Sequence, residues 1–158
     1  MTPLVLSCVL YLGSQMSLAA EGRGSFIAEP ELAPFAEGLR TAVLAHDVTG
    51  IVKLMAPAGL DCRSAQTPLA ATEAELNAPG TFWHSFFFDT RTLNAKYSEA
   101  GEKRVSLEEL FRNGKSLEVR RQEDRVEFVS DNYDIYPKLY LRRLPQGWVI
   151  ACDLRCEC

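Results

Sequence analysis

Residues 39–55, with the sequence LRTAVLAHDVTGIVKLM, decide the first half of the fold. In and just before this stretch, apolar residues recur every three or four positions, and His46 continues the series. This spacing places the whole set on one face of a helix. The set is Leu32, Phe35, Ala36, Leu39, Ala42, Val43 and His46. Asp47 can cap a second short helix, which Pro57 ends. The stretch therefore predicts a pair of helices joined by an almost immediate turn.

After Gly114 the pattern changes, because apolar and polar residues begin to alternate one by one. That period is typical of a half-buried β-strand. Turn-forming residues at 122–124, 131–134 and 144–147 divide the region into four strands, which predicts an antiparallel meander. Helices followed by strands predict one α+β domain, in which the N-terminal helical pair packs on the C-terminal meander and covers one face of the sheet.

The region between the helical pair and the meander predicts several short elements. Residues 59–63 predict a short strand, and residues 64–66 predict a polar link. Thr67 predicts an N-cap, with Pro68 at the first position of a short helix.

The aromatic stretch TFWHSFFFD, residues 81–89, fits either a strand or a helix, because short apolar runs cannot be assigned from period alone. In both cases most of its rings belong to the core. Asp89 predicts the cap of a following helix. Ser106 and Glu109 form a capping box that opens one more helix, and Gly114 predicts its end.

The beginning of the chain carries no charged side chain over residues 1–20. An apolar run at 4–12 is followed by small residues, a pattern typical of a cleavable signal peptide. The run is too short to span a bilayer, which needs about 20 apolar residues. We predict a signal peptide over 1–20, a flexible mature N-terminus over 21–30 and a single α+β domain over 31–158.

Two alternatives for the first twenty residues stay open. Because no Lys or Arg precedes the apolar run, the segment can instead be a buried N-terminal strand or helix. Residues 5–8 also resemble a lipobox, whose cysteine carries a lipid. Cys8 comes before a normal apolar run is complete, so neither a lipid anchor nor a membrane span is predicted.

The cysteine count supports export to an oxidising compartment, either the periplasm or the outside of the cell. Cys8 leaves with the signal peptide, which leaves Cys62, Cys152, Cys156 and Cys158. Four thiols in such a compartment predict two disulfides. We expect Cys62 to pair with one C-terminal cysteine and the second bridge to lie within 152–158. A metal site is not predicted, because the paired C-x2-C spacing of zinc sites is missing.

The charge of the chain argues against a nucleic-acid partner. The formal net charge is -4, so the protein gains little from releasing counterions on DNA or RNA. Two basic pairs, Arg120–Arg121 and Arg142–Arg143, lie in alternating stretches with acidic residues nearby. We interpret both pairs as solvated sheet edges.

The order of elements resembles the cone-shaped α+β fold of the nuclear transport factor 2-like superfamily. Residues 39–55 look like that family's paired helices with an acidic turn. LYLRRLPQGWVIA, residues 139–151, looks like its closing hairpin with a Trp-bearing strand. Members of the family include enzymes, ligand binders and assembly modules, so the resemblance implies a fold and not one function.

Histidines are the candidate catalytic residues, and the chain has two of them. His46 lies on the apolar helix face, which predicts a buried, hydrogen-bonded imidazole. His84 stands beside Trp83, where it can line an apolar pocket and act as an acid or a base. Tyr133 and Tyr136 form an aromatic loop that predicts a contact surface.

These observations predict an exported, non-enzymatic domain that binds a protein or a small ligand, as inhibitor-like and immunity-like modules do. The predicted binding residues are Trp83, His84, Tyr133 and Tyr136, and no cofactor is predicted. No catalytic motif such as G-x-S-x-G accompanies the histidines. The alternative is a small enzyme with a cone-shaped pocket, in which His84 or His46 works with a carboxylate.

Overall fold

The computed structural model of the protein describes residues 30–99, 101–114, 117–122, 125–130 and 138–156. The predicted signal peptide and most of the predicted mature N-terminus lie outside these ranges. Tyr133, Tyr136, Cys8 and Cys158 lie outside them as well. None of the helices within the ranges combines the length and the hydropathy of a membrane span.

In the described chain, the helices come before the strands of the main sheet, and those strands pair antiparallel. This arrangement confirms the predicted α+β class. The helices are α1 (Ala33–Leu44), α2 (Val48–Lys53), α3 (Leu69–Leu76), α4 (Phe82–Phe88), α5 (Thr90–Tyr97) and α6 (Leu107–Arg112). Between α2 and α3, β1 (Leu60–Cys62) and β2 (Ala65–Thr67) form a small hairpin. The last strands are β3 (Leu117–Gln122), β4 (Arg125–Ser130), β5 (Lys138–Leu144) and β6 (Gly147–Ile150), paired antiparallel in chain order. The predicted meander is therefore confirmed.

The helical pair forms as predicted, except at its turn. Every apolar position of the predicted face is buried in the core. His46 was expected on that buried face, and this is wrong. Helix α1 ends at Leu44, and His46 adopts a left-handed φ of 53°, which reverses the chain and leaves its side chain half exposed. Asp47 then caps α2, as predicted, by accepting a hydrogen bond from the Gly50 amide at 2.9 Å.

The structure resolves the short elements of the middle region. The aromatic stretch forms helix α4, so the strand alternative is excluded. The polar link predicted at 64–66 is wrong for Ala65 and Gln66, because both pair with β1. Thr67 is not the cap of α3, since Pro68 occupies that position. The Thr67 hydroxyl instead donates to Asp153 at 2.7 Å.

The main sheet joins the helical body through β6. Helix α1 packs on β6, and buried Leu139, Leu141 and Ile150 belong to the same core as the helices. The outer side of β6 is covered by the chain that follows α2, because Ile150 exchanges backbone hydrogen bonds with Leu54 and Ala56, both at 2.8 Å. Among the described strands, β3 is the other end of the sheet. Arg120–Arg121 therefore lies on an edge strand as predicted, whereas Arg142–Arg143 lies on the interior strand β5.

The tail, residues 153–156, ties the end of the sheet back to the helices. Cys62 and Cys156 form a disulfide across 94 residues, which confirms that Cys62 pairs with a C-terminal cysteine. Cys152 is also disulfide-bonded, and its partner lies outside the described residues. The predicted second bridge to Cys158 stays a prediction.

Candidate functional site

Both histidines of the chain meet at one phenyl ring. His84 and Phe88 lie one turn apart on α4, so they share a face of that helix. The left-handed turn after α1 brings His46 over the same ring, where the two rings stack with centroids 4.5 Å apart. His84 contacts the ring edge-on at 5.4 Å. Residues 38 positions apart in the chain are thereby joined, which no local pattern predicts.

Glu108 supplies the carboxylate of this region. Ser106 caps α6 by accepting from the Glu109 amide at 3.3 Å, which places Glu108 in the first turn. Oε1 of Glu108 lies 3.0 Å from Nε2 of His46 and also accepts from Nε of Arg112 at 2.9 Å. We call His46, His84, Phe88, Glu108 and Arg112 the histidine cluster.

Two opposing effects act on the pKa of Glu108. Burial of the carboxyl favours its neutral form, but hydrogen bonds from His46 and Arg112 favour the charged form and outweigh burial. The pKa of Glu108 is therefore lowered. At neutral pH the carboxylate is ionised and holds both the imidazole and the guanidinium.

A histidine beside a carboxylate is an arrangement that supports acid–base chemistry. The half-exposed imidazole of His46 is reachable from solvent, and its Nε2 is oriented by Glu108. The neighbouring depression, about 290 Å³, is open to solvent and is lined by Phe88, Thr90, Ser106 and Glu108, among others. The pair therefore lies beside an open surface and not inside an enclosed pocket.

The hydroxyl groups in this depression have structural roles. The Thr90 side chain accepts from the Ser106 amide at 2.8 Å and donates to the Ser106 hydroxyl at 3.1 Å. Ser106 was expected to form a reciprocal capping box with Glu109, but Thr90 takes that place. Both hydroxyls therefore take part in the hydrogen bonds that begin α6.

The carboxylate of Asp89 lies at the first turn of a helix and is held there by hydrogen bonds. It caps α5, as predicted, by accepting from the Thr92 hydroxyl at 2.6 Å and from the Thr92 amide at 2.9 Å. These hydrogen bonds, with a smaller contribution from nearby His84, lower the pKa of Asp89. The Nδ1 atom of His84 is buried and has no hydrogen-bond partner among the residues that the structure describes.

Trp83 and His84, which were predicted to line one pocket, lie on different sides of α4. Successive residues of a helix point about 100° apart, so α4 separates the two side chains. Trp83 is fully buried and packs against Phe82, Phe86 and Phe87. The structure therefore brings His84 to His46 and leaves Trp83 in the core.

A second feature lies between α1 and α2 and was missed by sequence reasoning. A groove of about 570 Å³ runs along the two helices. We call it the α1–α2 groove; its lining residues are Pro34, Glu37, Gly38, Thr41, Ala42, Ala45, Asp47, Gly50, Lys53 and Leu54. Small residues recur along α1 at positions 38, 41, 42 and 45. This spacing is the sequence signal that could have revealed the groove.

Gly50 lines the groove where α1 and α2 approach each other. A methyl group added at Gly50 would lie 2.5 Å from a carboxylate oxygen of Asp47 and 3.2 Å from the β-carbon of Ala42. A larger residue would therefore clash with the cap of α2 and push the helices apart. Glycine at this position allows the close approach of α1 and α2.

Replacing Glu108 by Gln should lower the free energy of unfolding at pH 7 by about 1 kcal/mol, because a charged hydrogen-bond acceptor is lost. A lowered pKa stabilises the folded state above the unfolded pKa of about 4.3, and this contribution is lost as the pH falls through the folded pKa. The difference in the free energy of unfolding between wild type and Glu108→Gln should therefore be smaller at pH 3 than at pH 7.

Urea unfolding at pH 7 and pH 3 measures this effect. The matched control is Glu109→Gln, the exposed neighbour on the same helix turn. Equal losses in the two variants would show that Glu108 has no special role in holding the histidine cluster.

The arrangement of side chains in the described ranges does not support metal binding. No group of three or more His, Cys, Asp or Glu side chains there is placed to hold a metal ion. Among the described residues, we take the histidine cluster and the α1–α2 groove as the two candidate sites. No protein-family model, no curated protein and no solved structure matches the chain.

Proposed function

We propose that the protein is an exported, non-enzymatic domain that binds the apolar segment of a partner protein in the α1–α2 groove. The observation that carries this proposal is the groove itself, whose base is formed by small residues such as Gly38, Ala42 and Gly50. Small residues let another chain approach closely and exclude water from apolar surface. The disulfide of Cys62 and Cys156 supports export, because disulfides persist in oxidising compartments.

The shape of the groove favours a protein over a small ligand. Sites for small molecules are clefts that cover most of the ligand surface. The α1–α2 groove is open along its length, so it suits an extended or helical segment that continues beyond it. Its exposed rim carries Glu37 and Lys53, which can orient such a segment by charge.

Replacing Ala45 by Arg should weaken partner binding about tenfold or more, because a long charged side chain would occupy the end of the groove. Ala45 is exposed at the C-terminal end of α1, so the change should leave the fold intact. Ala71→Arg is the matched control, since Ala71 is exposed on α3 and outside the groove. His46→Ala and His84→Ala should bind normally.

The partner is found by placing a photo-crosslinking residue at Thr41, which lines the groove, and at Ala71 as the control. A partner that crosslinks from Thr41 only is then purified, and its affinity for each variant is measured by calorimetry. Equal affinity of wild type and Ala45→Arg for that partner would contradict the proposal.

A second candidate function rests on the histidine cluster. The 3.0 Å contact of His46 and Glu108 favours a small enzyme in which His46 transfers a proton at the open depression. Biological activity that is lost in a folded His46→Ala variant and retained in Ala45→Arg would support this function over binding in the groove.

A further inference from the structure

The α1–α2 groove has two different ends, because its two helices run antiparallel. At one end the turn between the helices closes the groove, and the Asp47 amide donates to the carbonyl of Ala42 at 2.8 Å. At the other end Gly38 lies beside Leu54, since a methyl group added at Gly38 would lie 3.8 Å from a δ-carbon of Leu54. We call these the closed end and the open end.

Three charged side chains line the groove, and all three are exposed: Glu37, Asp47 and Lys53. Glu37 and Lys53 lie at the open end on opposite helices, so their charges offset each other. Asp47 lies at the closed end. In the part of the chain that the structure describes, none of the three forms an ion pair, and the Asp47 carboxylate accepts from the Gly50 amide. Its negative charge is therefore left for another molecule.

The helix dipoles do not remove this negative charge. The C-terminal end of α1 and the N-terminal end of α2 both lie at the closed end, and their partial charges have opposite signs. Helix α1, with 12 residues, is longer than α2, with 6 residues. The imidazole of His46 contacts Phe88 and Glu108 and does not line the groove. The closed end is therefore negative.

The walls of the groove favour a helical occupant. Both walls are helices, whose backbone donors and acceptors are paired within each helix except at the ends. An extended segment in the groove would lose backbone hydrogen bonds to water and would find no backbone partners in return. A helix satisfies its own backbone and brings only side chains. We therefore expect an amphipathic helix, with apolar side chains every three or four residues.

The size of the groove indicates which side chains it takes. The lining residues of α1 and its C-cap extend from 34 to 45, a rise of about 16 Å along a helix. A partner helix of about 11 residues covers this length and presents three or four apolar side chains. Because Gly38, Ala42 and Gly50 form the base, large side chains such as leucine must come from the partner to fill the groove.

A second copy of this chain does not supply such a helix from its described residues. Among the described helices, α3 exposes the most apolar residues, and these are Ala70, Ala71 and Ala74. Their methyl groups are too short to fill a groove whose base is formed by small residues. The exposed charge between them is that of Glu73, which has the same sign as the charge of Asp47. The occupant is therefore a helix of a different protein.

We propose that the α1–α2 groove binds an amphipathic helix of a partner protein, and that this helix places a lysine or arginine against Asp47 at the closed end. This proposal rests on the proposed function, which assigns partner binding to the groove. It adds the helical form of the bound segment and the position of its basic residue. The partner class is thus a helix with a leucine-like apolar face and one basic end.

Synthetic peptides test this proposal. Each peptide of about 14 residues carries leucines at helical spacing on one face. One end of that face carries arginine, glutamine or glutamate, and a second set carries the same residues at the other end, so that both orientations are covered. Fluorescence anisotropy with the purified protein gives each Kd. In one orientation, the arginine form should bind wild type about fivefold more tightly than the glutamate form, because attraction to Asp47 replaces repulsion.

Asp47→Asn is the decisive variant, because asparagine also caps helices and keeps the turn while the charge is lost. It should bind the arginine, glutamine and glutamate forms about equally. Glu73→Gln is the matched control, since it removes an exposed carboxylate outside the groove, and it should keep the fivefold preference. The preference of wild type should decrease at about 1 M NaCl, because salt screens exposed charges.

Ala45→Arg separates failure of the basic end from failure of the groove. Peptides that bind wild type but not Ala45→Arg, with equal affinity for the arginine and glutamate forms, would overturn the contact with Asp47 and leave the groove as a binding site. The same fivefold preference in Asp47→Asn would overturn that contact as well. Binding of no peptide to wild type, or equal binding to wild type and Ala45→Arg, would overturn binding in the groove altogether.

Discussion

Replacing Cys62 and Cys156 together by alanine is expected to lower the free energy of unfolding by about 4–5 kcal/mol. The bridge closes 94 residues, and a cross-link over so long a segment removes much of the chain entropy of the unfolded state. Domains of this size have a net stability of roughly 5–15 kcal/mol, so the loss is a large part of the total.

Urea unfolding without reductant measures the loss, and wild type is the reference. Non-reducing mass spectrometry of the double variant verifies that Cys152 keeps its own disulfide. A loss below about 1 kcal/mol would contradict the prediction, because it would mean that the polar contacts of the tail constrain the loop without the bridge.

Replacing Asp153 by alanine is expected to lower the free energy of unfolding by about 3 kcal/mol at pH 7. Asp153 is buried, with 1% of its surface exposed. Its carboxylate accepts from Nε of Arg155 at 3.0 Å, from Nη2 of Arg155 at 2.8 Å and from the Thr67 hydroxyl at 2.7 Å. Removing it takes the acceptor away from the part-buried Thr67 hydroxyl and from two nitrogens of the Arg155 guanidinium.

Arg155 carries these contacts further into the helical body. Its Nη1 lies 2.7 Å from a carboxylate oxygen of Glu75, and its guanidinium lies 5.7 Å from the centre of the Phe82 ring. The two carboxylates, foremost that of Asp153, raise the pKa of Arg155, which is charged at every pH of interest. Losing Asp153 therefore weakens the attachment of the tail to α3 and α4 together.

The loss of unfolding free energy caused by Asp153→Ala should depend on pH. Burial of Asp153 favours its neutral form, but the hydrogen bonds from Arg155 and Thr67 outweigh burial and lower its pKa. Its contribution is complete above the unfolded pKa of about 3.9 and is lost as the pH falls through the folded pKa. Wild type should therefore lose more stability than Asp153→Ala between about pH 5 and pH 2.

Glu73→Ala is the control for this series, because Glu73 is exposed on α3. Urea unfolding at pH 7, 5, 3 and 2 covers the range in which the contribution of Asp153 is lost. Parallel pH profiles of wild type and Asp153→Ala would disprove the role of Asp153 in the pH dependence.

Periodicity in the sequence was sufficient to predict helix α1 and the four strands of the meander. The buried face of α1 and the four strands of the meander follow patterns of three to four and of two residues. The helical period was misleading at His46. The series of residues spaced by three or four positions includes His46, although helix α1 ends at Leu44. Where a helix ends depends on backbone geometry, here the left-handed φ of His46, and not on hydropathy.

Features that depend on distant contacts were beyond sequence reasoning. Strand β2 has only three residues and is supported by the contact of Thr67 with the tail. The histidine cluster needs the turn after α1, the face of α4 and the first turn of α6 to meet. The α1–α2 groove, in contrast, lies between neighbouring helices, and the spacing of the small residues along α1 could have indicated it.

The order of the cysteines along the chain has a consequence for oxidative folding. During synthesis Cys62 emerges long before its partner, and Cys152 emerges four residues ahead of Cys156. The first bridge that these three thiols can form is therefore the incorrect one, between Cys62 and Cys152. Because Asp61 pairs with Cys152 in the finished fold, the wrong partner is also held close by. A Cys62–Cys152 bridge that forms first must be resolved by thiol–disulfide exchange before the native bridge to Cys156 can form.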